Sequence, residues 1–300
     1  MSTQAGALDR ILEGAIDMHC HSGPSPFPRK IDHVEAARQA HSVGMRAIVV
    51  KSHHHSTVMD VRAMASQLTG CATQVFGGIA LNAQVGGLNA AAVDMALKMG
   101  GKVVWFPTIS ATKHVSHQRE HPDLKFPKAS VALRPQPTID ILTPAGDLVP
   151  EVAPILSLIA EAGAVLSSGH MAPDQISALL RAARTAGVTK LFVNHPEYVI
   201  EADRAEVVGY AEAGAIIEHS LCMYDDASTF YHWEIGALKS WIDLVGADRT
   251  SLGSDLGQED NPLPIESFRK ILDRLHDCGV SERDLRKMVR DNPARLLGLN

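Results

Sequence analysis

The chain has little of what several protein classes require. Its four cysteines, Cys20, Cys71, Cys222 and Cys278, stand far apart with no CxxC. Neither a disulfide framework nor a thiolate zinc site is indicated, and a reducing compartment suits them. No stretch approaches the roughly 18 apolar residues of a membrane span, and Met1 to Glu13 lack the apolar run of a secretory signal. A cytoplasmic protein with no membrane partner is expected. Nor is charge segregated: 28 Lys and Arg face 34 Asp and Glu, a net charge of −6, without a basic block, so nucleic acid is not an expected partner. With 45% hydrophobic and 21% charged residues, the composition is that of a soluble globular protein and excludes disordered, collagen-like and coiled-coil chains. What is plentiful is histidine, at 15.

Short β-branched apolar runs recur, each preceded by a helical stretch ending at glycine, which is the sequence sign of a parallel sheet covered by helices. Eight runs are read as strands, at residues 15–18, 46–51, 75–81, 102–106, 164–168, 190–194, 215–218 and 250–254. Asn89 is placed to cap a helix over 90–99, and Pro173 to open one ending before Gly187. Eight such strands predict an α/β fold, a closed (β/α)8 TIM barrel, although an open doubly wound sheet would give the same alternation. The chain is read as one barrel domain over residues 1–300. Residues 107–150 hold seven of the sixteen prolines and are expected to form a Pro-rich insertion after strand 4, a lid with a hairpin around Pro144 to Gly146.

In such a barrel the chemistry gathers where strands run out into their following loops. Strand 1 exits as Asp17-Met-His-Cys-His21; by strict alternation Asp17, His19 and His21 share a face, which can present two imidazoles to one ion. Strand 5 exits to His170, strand 6 to His195 and strand 8 to Asp255. Imidazole and carboxylate without thiolate suit zinc, and also Mn, Co, Ni or Fe.

This set resembles the amidohydrolase superfamily of metal-dependent barrel hydrolases, whose marks are HxH, His, His and Asp on strands 1, 5, 6 and 8. The closing Asp291-Asn-Pro-Ala-Arg-Leu-Leu-Gly298 is similar to the ending of many members. The resemblance implies a divalent metal cofactor, one or two ions, held by His19, His21, His170, His195 and Asp255. It implies no particular substrate. Strand 4 offers no bridging Lys or Glu, whereas strand 2 ends in Lys51-Ser-His-His-His55. Burial at a strand tip favours the neutral amine of Lys51, the form that adds carbon dioxide. Carbamylated Lys51 could bridge two metals, as a strand 2 cysteine does in the D-aminoacylase branch. Alternatively Lys51 is a cation pairing with Asp17 or holding a substrate carboxylate.

Other candidates are His219, as a group that hydrogen-bonds a substrate or leaving group, and His53, His114 and Tyr224 as substrate contacts. At least two members of the triple histidine are expected to be solvated. Lys113, His114, His117, Arg119, His121 and Arg134 would make the lid basic, suited to an anionic substrate. The leading function is hydrolysis of a small-molecule amide, cyclic amide, lactone or ester through a metal-bound hydroxide, with Asp255 as proton shuttle. The alternatives are a decarboxylase or lyase, a mononuclear deaminase, and a barrel that only binds metal. A homo-oligomer is compatible with the sequence.

Overall fold

The computed structural model describes residues 10–124 and 126–299. Among the described residues nine short strands run parallel: β1 (Ile16–Cys20), β2 (Ala47–Val50), β3 (Gln74–Phe76), β4 (Gly78–Ala80), β5 (Val103–Trp105), β6 (Val165–Ser167), β7 (Leu191–Asn194), β8 (Ile216–Ser220) and β9 (Thr250–Gly253). They form two sheets, β1-β2-β3 and β4 through β9 in sequence order. β3 and β4 are the single third strand expected from sequence, divided at Gly77. Close packing makes the break: a Cβ on Gly77 would lie 2.9 Å from Thr57 atoms, and one on Gly78 only 2.1 Å from the Val103 carbonyl oxygen. Nine segments therefore occupy eight strand positions.

The other seam is closed by backbone hydrogen bonds just beyond β9, where Asp255 N donates to the His19 carbonyl and His21 N to the Leu256 carbonyl, both at 2.8 Å. Strands such as Ala47–Val50 are buried throughout, because parallel strands covered by helices have no solvent face. One core cluster, with Ile16, Met18, Val49, Trp105, Phe192 and Ile216, fills the barrel interior, and two larger clusters lie between strands and helices.

The helices are α1 (His33–Ser42), α2 (Val58–Ala63), α3 (Ala90–Lys98), α4 (Thr112–Glu120), α5 (Val152–Ala162), α6 (Pro173–Thr185), α7 (Arg204–Glu212), α8 (Ile235–Val245), α9 (Pro264–Asp277), α10 (Glu282–Arg286) and α11 (Asn292–Leu297). Asn89 caps α3 by accepting from Ala92 N, and Pro173 is the first residue of α6. At the end of α5, Gly163 takes the left-handed conformation (φ 58°) that stops a helix without a Cβ penalty. The closing Asn-Pro-Ala segment locks the barrel floor, since Asn292 Nδ2 donates to the carbonyls of Ala247 and Thr250, while Ala294, Leu296 and Leu297 join the interior cluster. Residues 107–150 hold α4 and the expected small turn, with Leu142 bridged antiparallel to Leu148. No described helix is long and apolar enough to cross a membrane.

Candidate metal centre

β1 is irregular. Its pairing with β2 shifts between Asp17 and Cys20, and the Asp17 carboxylate accepts from His19 N at 2.9 Å and from Ser254 N at 3.0 Å. The shift corrects the alternation expected from sequence. Asp17 faces the helix layer, beside Ile31, Ala36 and Ile48, while His19 and His21 turn into the barrel mouth. Asp17 therefore holds the strand's shape and ties it to the β9 exit; Lys51 does not pair with it.

His19 Nδ1 lies 2.6 Å from Glu218 Oε1, and His21 Nδ1 lies 3.2 Å from the Lys51 carbonyl oxygen. Each contact is made as an N–H donor to oxygen, which leaves Nε2 of each ring as a bare lone pair. Those two lone pairs face each other at 3.2 Å. Asp255 Oδ1 lies 3.2 Å from the first and 3.1 Å from the second, and Lys51 Nζ is 3.0 Å from His19 Nε2. His195 Nε2 is 3.8 Å from Asp255 Oδ2, and His19, His195 and Asp255 offer donor atoms within 4.8 Å of one another. Three acceptors converge with only the Lys51 amine to donate to one of them, an arrangement that a cation between them would relieve. The residues fit a divalent metal of nitrogen and oxygen preference.

His170 completes the rim. Its Nδ1 is 2.9 Å from His114 Nδ1, its ring centroid is 4.9 Å from that of His195, and its buried Nε2 has no hydrogen-bond partner, nor does His195 Nδ1. His195 and Asp255 have φ of 28° and 54°, a region that costs residues other than glycine energy and recurs at functional sites.

Burial sets the protonation states. It holds His19, His21, His53 and His170 well below the usual imidazole range and His114 down to about 3, so the rings are neutral, the form that ligates metal. Burial also lowers Lys51 to about 8 and raises Glu218 to about 7.

The cavity is walled on one side by His21, Lys51, His53, His170, His195 and Asp255. His53 reaches it with Nδ1 2.8 Å from Thr108 Oγ1, while His54 packs its ring against Phe27 and His55 bonds Asp60. Two sequence candidates lie elsewhere. Because Glu218 points into the barrel, the next residue along the strand, His219, points out; it bonds Glu197 at 2.8 Å and its ring stacks 6.3 Å from that of Trp241 on α8. Tyr224 donates to the same Glu197 oxygen. Neither lines the cavity. Of the basic residues expected in the lid, Lys113, His117 and His121 converge on Glu201 and His114 turns inward to His170. Sequence reading missed Glu218, masked by its neighbour in a strand buried on both faces, and Arg29 and Gln118, which the loop after β1 and helix α4 bring to the cavity.

Residues 14–218 match the model of a family described as a "Family of unknown function (DUF6282)"; the match includes His19, His21, Lys51, His170, His195 and Glu218 and ends before Asp255. A search of the curated proteins found no match. Among solved structures, an amidohydrolase from Pseudomonas aeruginosa is similar over 98% of each chain, with a TM-score of 0.64 and 12% identity. The probable dipeptidase PvdM from the same organism covers 98% of this chain and 97% of its own, at 0.65 and 11%. A 2,6-dihydroxybenzoate decarboxylase from Rhizobium covers 96% and 99%, at 0.53 and 12%. What is shared at these identities is the barrel fold.

Proposed function

Since the chain belongs to this family of unknown function, DUF6282, we propose from its site that the protein is a metal-dependent hydrolase acting on the carbonyl of a small amide, cyclic amide, lactone or ester. One observation carries the reading: His19 Nε2, His21 Nε2 and Asp255 Oδ1 lie within 3.2 Å of one another, with an oxygen beside the far nitrogen of each ring. His19, His21 and Asp255 would hold a divalent ion, zinc ahead of Mn, Co, Ni or Fe, which when bound would acidify a water toward about pH 7 and polarise the carbonyl.

The chain's own groups do the rest. Asp255 takes the proton of the attacking water and hands it to the leaving group, a two-way role a carboxylate performs because it accepts in one step and donates in the next. Glu218 keeps the proton of His19 on Nδ1, so that Nε2 remains a donor of electrons. His170 and His195 would serve a second ion, and a carbamate on the buried Lys51 amine would supply the bridging carboxylate that β5, Val103–Trp105, does not offer. The segment 107–150, through Gln118 and Phe126 in the cavity wall, would act as the lid that excludes bulk water, with the whole chain working as one barrel domain.

A decarboxylase or lyase is the second reading, favoured by the missing β5 bridge, and a mononuclear deaminase remains a variant of the first. Turnover in water enriched in the heavy oxygen isotope separates them: label in a product carboxylate supports hydrolysis, carbon dioxide released with no label in the remaining product supports decarboxylation, and ammonia released with the label in a carbonyl that is not a carboxylate marks deamination.

A further inference from the structure

The loop after β1 is stitched to the loop after β9. Arg29 and Gln258 form an antiparallel bridge, Lys30 N donates to the Gly257 carbonyl at 2.9 Å, and Glu259 N donates to that of Pro28 at 3.3 Å. These bonds fix Arg29 beside the segment carrying Asp255, and its side chain lines the same cavity. Its Nε and Nη1 are buried without a hydrogen-bond partner, and no carboxylate among the described residues forms an ion pair with it. Arg29 is half-buried, and the Asp255 carboxylate acts on it across the cavity without bonding it; two guanidinium nitrogens withdrawn from water with no acceptor are costly, so its place in the cavity wall calls for an anion supplied from outside.

Of the other polar groups of the wall, His170 and His195 each keep one unpartnered ring nitrogen and belong to the metal centre, while three are engaged. Lys51 is held by His19, His53 by Thr108, and His114 by His170 and Gln118. The rest is apolar and aromatic, with Phe27, Ile109, Phe126, Tyr198, Met223 and Phe230. Arg29 also stands over the Phe27 ring, 5.9 Å from its centroid. A single guanidinium with the Asp255 carboxylate facing the same cavity suits a monoanion, and its planar fork matches a carboxylate.

We propose that Arg29 anchors a substrate carboxylate, so that the molecule hydrolysed is a small monocarboxylate with an apolar body lying against Phe27, Phe126 and Phe230. The scissile end of this assignment rests on the hydrolase reading; the Arg29 end is measured by binding alone. The probes are phenylacetate and its neutral isostere phenylacetamide, titrated calorimetrically into the metal-loaded protein. The wild type should prefer the carboxylate by about 10- to 100-fold, the range of a charge-assisted contact. Arg29→Met should abolish that preference while metal content and the affinity for phenylacetamide stay as they were, and Arg29→Lys should retain part of it. If Arg29→Met does not fold, Arg29→Gln is read the same way. A wild type without preference, or a neutral variant that keeps it, overturns the assignment. A preserved preference with no labelled solvent oxygen in any product overturns the hydrolase reading instead, leaving Arg29 as an anion site.

Discussion

The Nε2 atoms of His19 and His21 face each other at 3.2 Å, each ring already engaged on its far side by an oxygen. Two neutral imidazoles have no reason to meet lone pair to lone pair in a buried mouth. That placement, with Asp255 beside both rings, gives the site its metal character and determines how it should respond to substitution, acid and chelation.

Asp255→Asn keeps an oxygen near both imidazoles but cannot shuttle a proton. Turnover should fall by about two to four orders of magnitude with metal retained, checked by steady-state kinetics beside elemental analysis. Near-normal turnover removes Asp255 from its role.

Glu218→Gln tests the support of His19. The group is fully buried, and it holds the ring at 2.6 Å. Metal affinity should drop about 10- to 100-fold, the usual effect of losing a partner behind a ligating histidine, measured by competition with a chelator of known strength. An unchanged affinity would show that His19 is oriented without it.

Acid should weaken the metal-free protein in a defined window. Burial keeps His19, His21, His114 and His170 neutral when folded, with His114 held to about 3, whereas in the unfolded chain each titrates near about 6.5. Below that pH the unfolded state binds more protons, so stability falls as pH falls, by about 1.4 kcal/mol per pH unit for each histidine until its folded pKa is reached. Glu218 and Asp17, raised by burial to about 7 and about 6, bind protons in the folded state over the same range and offset part of this, so urea unfolding of chelator-treated protein between about pH 7 and 5 should show a net loss of a few kcal/mol. A flat profile would mean that these rings are not buried as described.

Lys51 provides a further test. If its amine, lowered to about 8 by burial, carries a carbamate, activity of bicarbonate-depleted protein should recover on adding bicarbonate, and Lys51→Ala should lose both activity and response. Full activity in the variant, or indifference of the wild type to bicarbonate, assigns Lys51 another role.

Much of the fold was legible because a parallel barrel strand, buried on both faces, has to be written in β-branched apolar residues, as Ala47–Val50 and Leu191–Asn194 are. The exits at His19, His21, His170, His195 and Asp255 followed from that count. The same double burial hid which way a strand's residues point. Nothing in Ile216-Ile-Glu-His219 says that Glu218 faces in and His219 out, and strict alternation misplaced Asp17 because the shift in β1 depends on its bonds to Ser254 and His19. Glu201, which gathers Lys113, His117 and His121, lies some 80 residues away in sequence. That cluster, like Arg29 at the mouth, depends on loop packing that no local pattern encodes.

The most direct measurement is the metal content of protein purified without chelators or a histidine tag, beside the double variant His19→Ala, His21→Ala. About one to two divalent ions per chain are expected in the wild type, and less than about a tenth of an ion in a double variant that still folds by circular dichroism. A wild type that stays empty when divalent metal is added, or a folded double variant that binds as much as the wild type, would contradict a metal centre at the mouth of this barrel.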